Sequence, residues 1–200
     1  MQPQEKLKYT LDDYIELEKV SEERLEFWDG NVWSVEEKNW QHAQIKSNLI
    51  FTLANRKSRL FLNMRVKVPV YSPYRYPDLS VVCGEAKFEK FKGLDVLINP
   101  QLIVEILSDS TEAFDRGDKF TYYKSIEGFI EYLLIAQHRP HATQYVKQAD
   151  DSWSYREVNA LSEKIYIASL DCELSLEDLY QDVVFPSAVL PFHRMGETVE

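Results

Sequence analysis

Leu102-Ile-Val-Glu-Ile-Leu107 is the most apolar strand-like run in the chain, and its reading decides the fold. Five of its six residues are apolar and they do not alternate with polar ones, the pattern of a central strand covered on both faces. Ser108-Asp-Ser-Thr111 follows as a turn and candidate helix cap. A helix is expected from about Thr111 to Ser125, stopped near Gly128. Phe129-Ile-Glu-Tyr-Leu-Leu-Ile135 then reads as the next strand. A strand, helix, strand succession makes the two strands parallel, with a right-handed crossover.

Upstream, Thr10 caps a first helix with Asp13 three residues on, and Leu11, Tyr14, Ile15 and Leu17 follow at helical spacing. Arg24-Leu-Glu-Phe-Trp28, Asp29-Gly30-Asn31 and Val32-Trp-Ser-Val35 read as a β-hairpin. Its alternation sets Glu26 on the face opposite Leu25 and Phe27. A longer helix is expected from about Gln41 to Leu60, with Ile45, Leu49 and Leu53 as its apolar stripe and Lys46 mostly off it. A half-buried strand is expected over 62–70, then a Pro-broken connection to Pro77 and a short strand opened by Asp78. Residues 84–100 read as a loop. Beyond the central strands come a hairpin near 143–147 and 153–158, a short strand near Ile165, and a helix near 175–181. The expected fold class is α/β: one mixed central sheet flanked by helices, with N-terminal and C-terminal hairpin additions. One domain is expected over 1–185, with a mobile tail over 186–200.

Composition bounds the function. The 200 residues are 44% hydrophobic and 28% charged, which suits a globular core and excludes disorder as the main state. No stretch approaches the ~18 apolar residues of a membrane span, and the N-terminus lacks a secretory pattern. Cys83 and Cys172 sit among apolar residues and read as buried hydrophobes, so a reducing cytoplasm is the expected location. The net charge of −10 argues against nucleic acid as a partner. Yet residues 38–77 hold no Asp or Glu and eight basic residues, Lys46, Arg56 and Lys57 among them. The acidic balance is an average over one basic stretch and an acidic remainder.

Three features could carry chemistry. Glu105 is a carboxylate inside the apolar run, costly to bury unless it is paired, hydrogen-bonded or bound to a metal. A nearby lysine or backbone groups would satisfy it equally well. Asp78 opens its strand directly after Pro77; if that strand neighbours the strand of Glu105, the two carboxylates can converge, and Mg²⁺ or Mn²⁺ would relieve their repulsion. Lys119 shares a helix face with Asp115 and Tyr123, four residues away on either side. It reads either as half of a surface Asp115–Lys119 pair or as an amine reaching over the strand end towards the acids. His138 and His141, separated by Pro140, read as a surface loop.

These motifs, in this order, resemble a known family. Tyr-Pro-Asp78, Leu-Ile-Val-Glu105-Ile-Leu-Ser108, Asp115-Arg116-Gly-Asp-Lys119 and Glu131-Tyr132 look like the Uma-two restriction-endonuclease family of the PD-(D/E)XK nuclease superfamily. Leu25-Glu26-Phe27-Trp28-Asp29-Gly30-Asn31 resembles its opening hairpin, and His42 its helix-starting histidine. The resemblance runs from about Leu11 to about Leu179. It implies a restriction-endonuclease-like core with Asp78 and Glu105 as metal ligands and Glu26 beside them. The superfamily strand motif is Glu-x-Lys, but position 107 is Leu; the resemblance makes Lys119 the replacement. The family position matching Asn31 is usually Glu, so a carboxylate role there is lost.

The function that follows is a Mg²⁺- or Mn²⁺-dependent endonuclease acting on DNA. Glu26, Asp78, Glu105 and Lys119 form its site, and His42, Lys46, Arg56, Lys57 and Arg116 are candidate nucleic-acid contacts. Double-strand cutting would suit a homodimer. A non-catalytic domain on the same fold, binding nucleic acid or protein, is the alternative. A two-carboxylate sugar hydrolase is a third reading, and a chelator would separate it from the first.

Overall fold

The computed structural model describes residues 8–35, 39–54, 58–70 and 73–185. Helix α1 (Leu11–Val20) begins with a complete capping box: Asp13 N–H donates to the Thr10 hydroxyl, and Thr10 N–H donates back to the Asp13 carboxylate. Strands β1 (Leu25–Trp28) and β2 (Asn31–Ser34) form the expected hairpin. Asp29 and Gly30 carry φ of 44° and 76°, the left-handed backbone that a two-residue turn between twisted strands requires.

Helix α2 (Trp40–Leu53) packs Ile45, Leu49 and Leu53 into the core, as the stripe predicts. It ends earlier than expected. Ser58–Leu62 is strand β3, where the helical period suggested continuation. The strand expected over 62–70 shrinks to β4 (Val66–Lys67), which joins β5 (Tyr74–Arg75) in a separate small sheet. Its apolar alternation serves two sheets because the chain turns between them at Asn63, whose φ is 45°.

Strand β6 (Leu79–Cys83) starts one residue after Asp78. The loop expected over 84–100 contains a hairpin, β7 (Phe88–Phe91) and β8 (Leu94–Leu97), turned at Lys92-Gly93 with φ of 46° and 92°. Strand β9 (Leu102–Leu107) is buried at all six positions. The expected crossover helix consists of α3 (Glu112–Phe114), a π-helical turn (Asp115–Lys119) and α4 (Phe120–Tyr123). Strand β10 (Glu131–Ala136) pairs parallel to β9, and β11 (Ala142–Lys147) and β12 (Trp153–Val158) continue antiparallel. A second hairpin, β13 (Lys164–Ile167) and β14 (Cys172–Ser175), precedes α5 (Leu176–Leu179). Cys172 is buried as expected, but Cys83 is exposed at the end of β6. The tail over 186–200 lies outside the described residues.

The main sheet runs β12-β11-β10-β9-β6-β3. Leu102, Val104 and Ile106 of β9 pack on one face with α2 and α5. Ile103 and Leu107 pack on the other face with Tyr122, Tyr123 and Phe129. Each such buried side chain contributes roughly 1.5–3 kcal/mol. Strand alternation sets Glu105 with Ile103 and Leu107, on the face that carries α3, the π turn and α4.

Candidate active site

The central register brings the acids together. Leu79 of β6 pairs antiparallel with Val104 of β9, so one more step sets Asp78 across from Glu105. Ile106 N–H donates to Asp78 Oδ2 at 2.8 Å, and Asp78 N–H lies 3.4 Å from Glu105 Oε2. The proline before Asp78 donates no hydrogen bond, so the ladder stops there and the carboxylate turns in beside the strand end.

Asp78 is held by a histidine and a lysine. Oδ1 accepts from His42 Nε2 at 2.8 Å and from Lys46 Nζ at 3.3 Å. A carboxylate only accepts, so the proton of this bond sits on Nε2. Lys46 also donates to Asn63 Oδ1 at 2.7 Å and is 5% exposed, so it is a buried partner of the site rather than a surface cation. Burial alone would raise the Asp78 carboxyl, but the His42 bond, the Lys46 charge and the Ile106 N–H outweigh it and hold it below the usual range.

Glu105 is the opposite case. Its Oε1 takes Lys119 Nζ at 2.8 Å and the Tyr123 hydroxyl at 2.8 Å. Burial pushes its carboxyl up; Lys119 opposes this, but the charges of Asp115 and Asp78 add to the rise. Lys119 is also 3.1 Å from Asp115 Oδ1. Burial would strip the ammonium of its proton, yet Asp115, Glu105 and Glu26 together hold it well above the ordinary lysine range. The Asp115–Lys119 pair is therefore buried, not a surface pair, and both residues lie in the π turn. π turns recur at functional sites because the wider turn re-aims side chains. The Tyr132 hydroxyl anchors this turn by donating to the Asp115 carbonyl at 3.0 Å.

Glu26 completes the wall. Its Oε1 accepts Tyr76 N–H at 2.9 Å and its Oε2 accepts Arg75 Nη1 at 3.2 Å. Glu26, His42, Asp78, Glu105, Asp115 and Lys119 line one cavity of about 100 Å³, with Trp33, Tyr76 and Phe114 also in its walls. That is room for an ion with several waters. Among the described residues, no three His, Cys, Asp or Glu side chains converge as a metal cage. Two hard carboxylates with an open side suit Mg²⁺, which is usually bound through one or two carboxylates, waters and substrate phosphate. Such an ion would offset the burial cost of the Glu105 carboxylate and the repulsion it feels from Asp115 and Asp78.

Arg116 donates to Glu112 at 2.8 Å and to Thr143 at 3.0 Å, away from the acids. His141 is 3% exposed and bonds Asn159 and Thr143, so the expected surface loop holds a buried histidine. Arg56 and Lys57 lie outside the described residues. Within the basic stretch, Lys46, Arg65, Lys67 and Arg75 are paired with Asp78, Glu18, Glu89 and Glu26, while Arg59 is exposed. Sequence reasoning placed Tyr123 on the correct helix face but gave it no role. It counted Arg75 only as part of the basic stretch and Tyr76 only as part of the Tyr-Pro-Asp78 motif, and gave neither a role at Glu26; the signal was an arginine between two tyrosines just before Pro77-Asp78.

The fold is a mixed sheet with helices against both faces, and two acids and a lysine gather at one end of its central strands. The chain belongs to the Uma2 family, described as "Putative restriction endonuclease", which matches residues 11–177. It is 31% identical over 154 residues to the uncharacterized protein sll1609 of Synechocystis, covering 74% of this chain and 86% of that protein. A second uncharacterized Synechocystis protein, slr1290, is 26% identical over 183 residues, covering 89% of this chain and 94% of that one. The crystal structure of "a putative nuclease belonging to DUF820" from Anabaena variabilis superposes with a TM-score of 0.65 at 21% identity, over 86% of this chain and 97% of that chain. Family membership supports a nuclease, and the Anabaena structure shows that the fold is shared. No helix among the described residues is long and apolar enough to cross a membrane.

Proposed function

We propose that the protein is a divalent-metal-dependent endonuclease that hydrolyses DNA phosphodiester bonds at this cavity. Asp78 and Glu105 would hold Mg²⁺ or Mn²⁺, which supplies Lewis-acid polarisation of the phosphoryl oxygen and eases deprotonation of water. Lys119 acts as a charge rather than a base, because its acidic neighbours keep it protonated. Two carboxylates engage its ammonium, and the remaining N–H can donate to the phosphoryl oxygen or orient the attacking water. His42 and Lys46 hold Asp78 ionised and oriented through Oδ1, and with Ile106 N–H on Oδ2 one lone pair of Oδ2 is left for a metal. Tyr123 fixes Glu105 from the helix side.

The observation that carries this reading is the meeting of Asp78, Glu105 and Lys119 around one cavity from three separate segments. Purified protein is expected to nick or cut DNA with Mg²⁺ or Mn²⁺, and to stop when EDTA is added. Asp78→Ala should abolish the activity. Cleavage that survives Asp78→Ala, with contaminants excluded, rejects the reading. The pairing of four basic residues in the 38–77 stretch favours one rival, a non-catalytic binding domain. That rival predicts binding indifferent to EDTA and no turnover.

A further inference from the structure

Arg75 is fully buried, and its surroundings are unusual for an arginine. Nη1 donates to Glu26 Oε2 at 3.2 Å and to the Phe27 carbonyl at 3.3 Å. Nε and Nη2 meet no hydrogen-bond acceptor among the described residues. Four rings surround the guanidinium instead: Phe114 at 5.5 Å, Tyr122 at 5.6 Å, Trp33 at 5.8 Å and Trp28 at 5.9 Å. Cation–π attraction recovers part of the lost hydration, but two unmet donors in an apolar cage remain costly. An apolar side chain of similar volume would serve packing as well or better.

The placement of this cation suggests why it is there. Trp28 and Trp33 belong to the hairpin that carries Glu26. Phe114 and Tyr122 flank the helical stretch that carries Asp115 and Lys119. Arg75 itself precedes Asp78 by three residues. One guanidinium thus touches the hairpin and the helical stretch while sitting on the segment that leads into Asp78. Among the described residues its ionic contact is Glu26, whose other oxygen is fixed by the next residue's N–H.

We propose that Arg75 is a positioning residue that acts through Glu26, pinning that carboxylate to the cavity wall on the Lys119 side of the site. Arg75 is walled off from solvent and cannot touch substrate, so it works only through what it holds. Free of Arg75, Glu26 would be a buried acid among three others, able to turn towards the ion or compete for Lys119.

The proposal rests on the nuclease reading, and a double-mutant cycle with two readouts separates the two. Wild type, Glu26→Gln, Arg75→Met and the double variant are compared for Mn²⁺ affinity by calorimetry and for Mg²⁺-dependent kcat and KM on a DNA fragment. With Glu26 present, Arg75→Met should lower kcat about tenfold or more, leave KM within about twofold, and shift the Mn²⁺ Kd by about fivefold or more. In the Glu26→Gln background, the same change should move neither kcat nor Kd beyond about twofold. A role confined to packing would give equal factors in both backgrounds, and that result overturns the proposal. The double variant leaves no buried ion unpaired, and its melting temperature reports on folding. Should Arg75→Met alone not fold, Arg75→Lys, which keeps the charge without the fork, is read in its place. If wild type binds Mn²⁺ without cutting DNA, the nuclease reading fails and the calorimetric cycle alone decides on Arg75. A wild type that neither cuts nor binds Mn²⁺ overturns both.

Discussion

Lys119 Nζ lies 2.8 Å from Glu105 Oε1, so an amine carried on a helix meets the acid of the central strand. The strand position two residues after Glu105, where an amine could have come from the same strand, is the buried Leu107. The Lys119 contact couples stability to activity. Lys119→Met should lower cleavage by about 10²–10³-fold, the usual cost of removing one charge-stabilising donor. It should also destabilise the fold by about 3 kcal/mol, because Glu105 loses its buried counter-charge. Cleavage assays and chemical denaturation check the two halves, and a variant of full activity would remove Lys119 from the site.

His42 and Lys46 were expected from sequence as nucleic-acid contacts, and both lie against Asp78. A lysine committed to a buried carboxylate should contribute little to counterion release. Lys46→Ala should therefore reduce kcat about tenfold or more while changing the slope of log affinity against log salt by less than about one contact. Fluorescence-anisotropy titrations over a salt series measure that slope. A drop of a full phosphate contact would mean that Lys46 faces the DNA.

The hairpin that carries Glu26 depends on one glycine. Gly30 has φ +76°, and a Cβ there would lie 2.6 Å from Lys8 Cβ. Gly30→Ala should cost about 1–2 kcal/mol from backbone strain alone. Thermal melting reports the loss, and an unchanged melting temperature would show that the turn relaxes freely.

A pH-dependent effect is expected at α1. The Thr10 hydroxyl, then the Thr10 N–H, hold the Asp13 carboxyl below its ordinary value of 3.8. Its folded pKa is thus lower than its unfolded one. The stabilisation is complete above the unfolded value and is lost as pH falls through the folded one. Thr10→Ala should destabilise by about 1 kcal/mol near neutral pH. The melting-temperature gap between the two proteins should narrow in acid without closing, because Asp13 N–H still donates to the Thr10 hydroxyl, and a gap constant with pH would contradict the carboxylate half of the capping box.

Much of this architecture was legible because it is local. The apolar run over 102–107, the Asp29-Gly30 turn and the Thr10–Asp13 spacing each encode their element within a few residues. Glu105 stood out as a charge where none belongs, and the spacing of Asp115, Lys119 and Tyr123 put three side chains on one face. What escaped was set by distance in the chain. Arg75 finds Glu26 49 residues away and Lys46 finds Asp78 32 residues away, so neither reads as buried from its neighbours. The β7–β8 hairpin was hidden for another reason: β7 is largely exposed, both strands carry charges, and the buried residues of β8, Val96 and Leu97, are adjacent rather than alternating, so no apolar alternation marks the pair. The end of α2 was misjudged because Leu60 continues the apolar rhythm of Leu49 and Leu53, although it belongs to β3.

The π-helical turn over Asp115–Lys119 is what one surplus residue leaves behind in an α-helix, a swelling absorbed locally while the turns beyond stay wound. Excising Gly117 would tighten that swelling into an ordinary coil and swing Lys119 round the axis relative to Asp115. The amine's aim thus depends on a local irregularity of the backbone, and a single deletion there could disarm the protein while leaving its architecture standing.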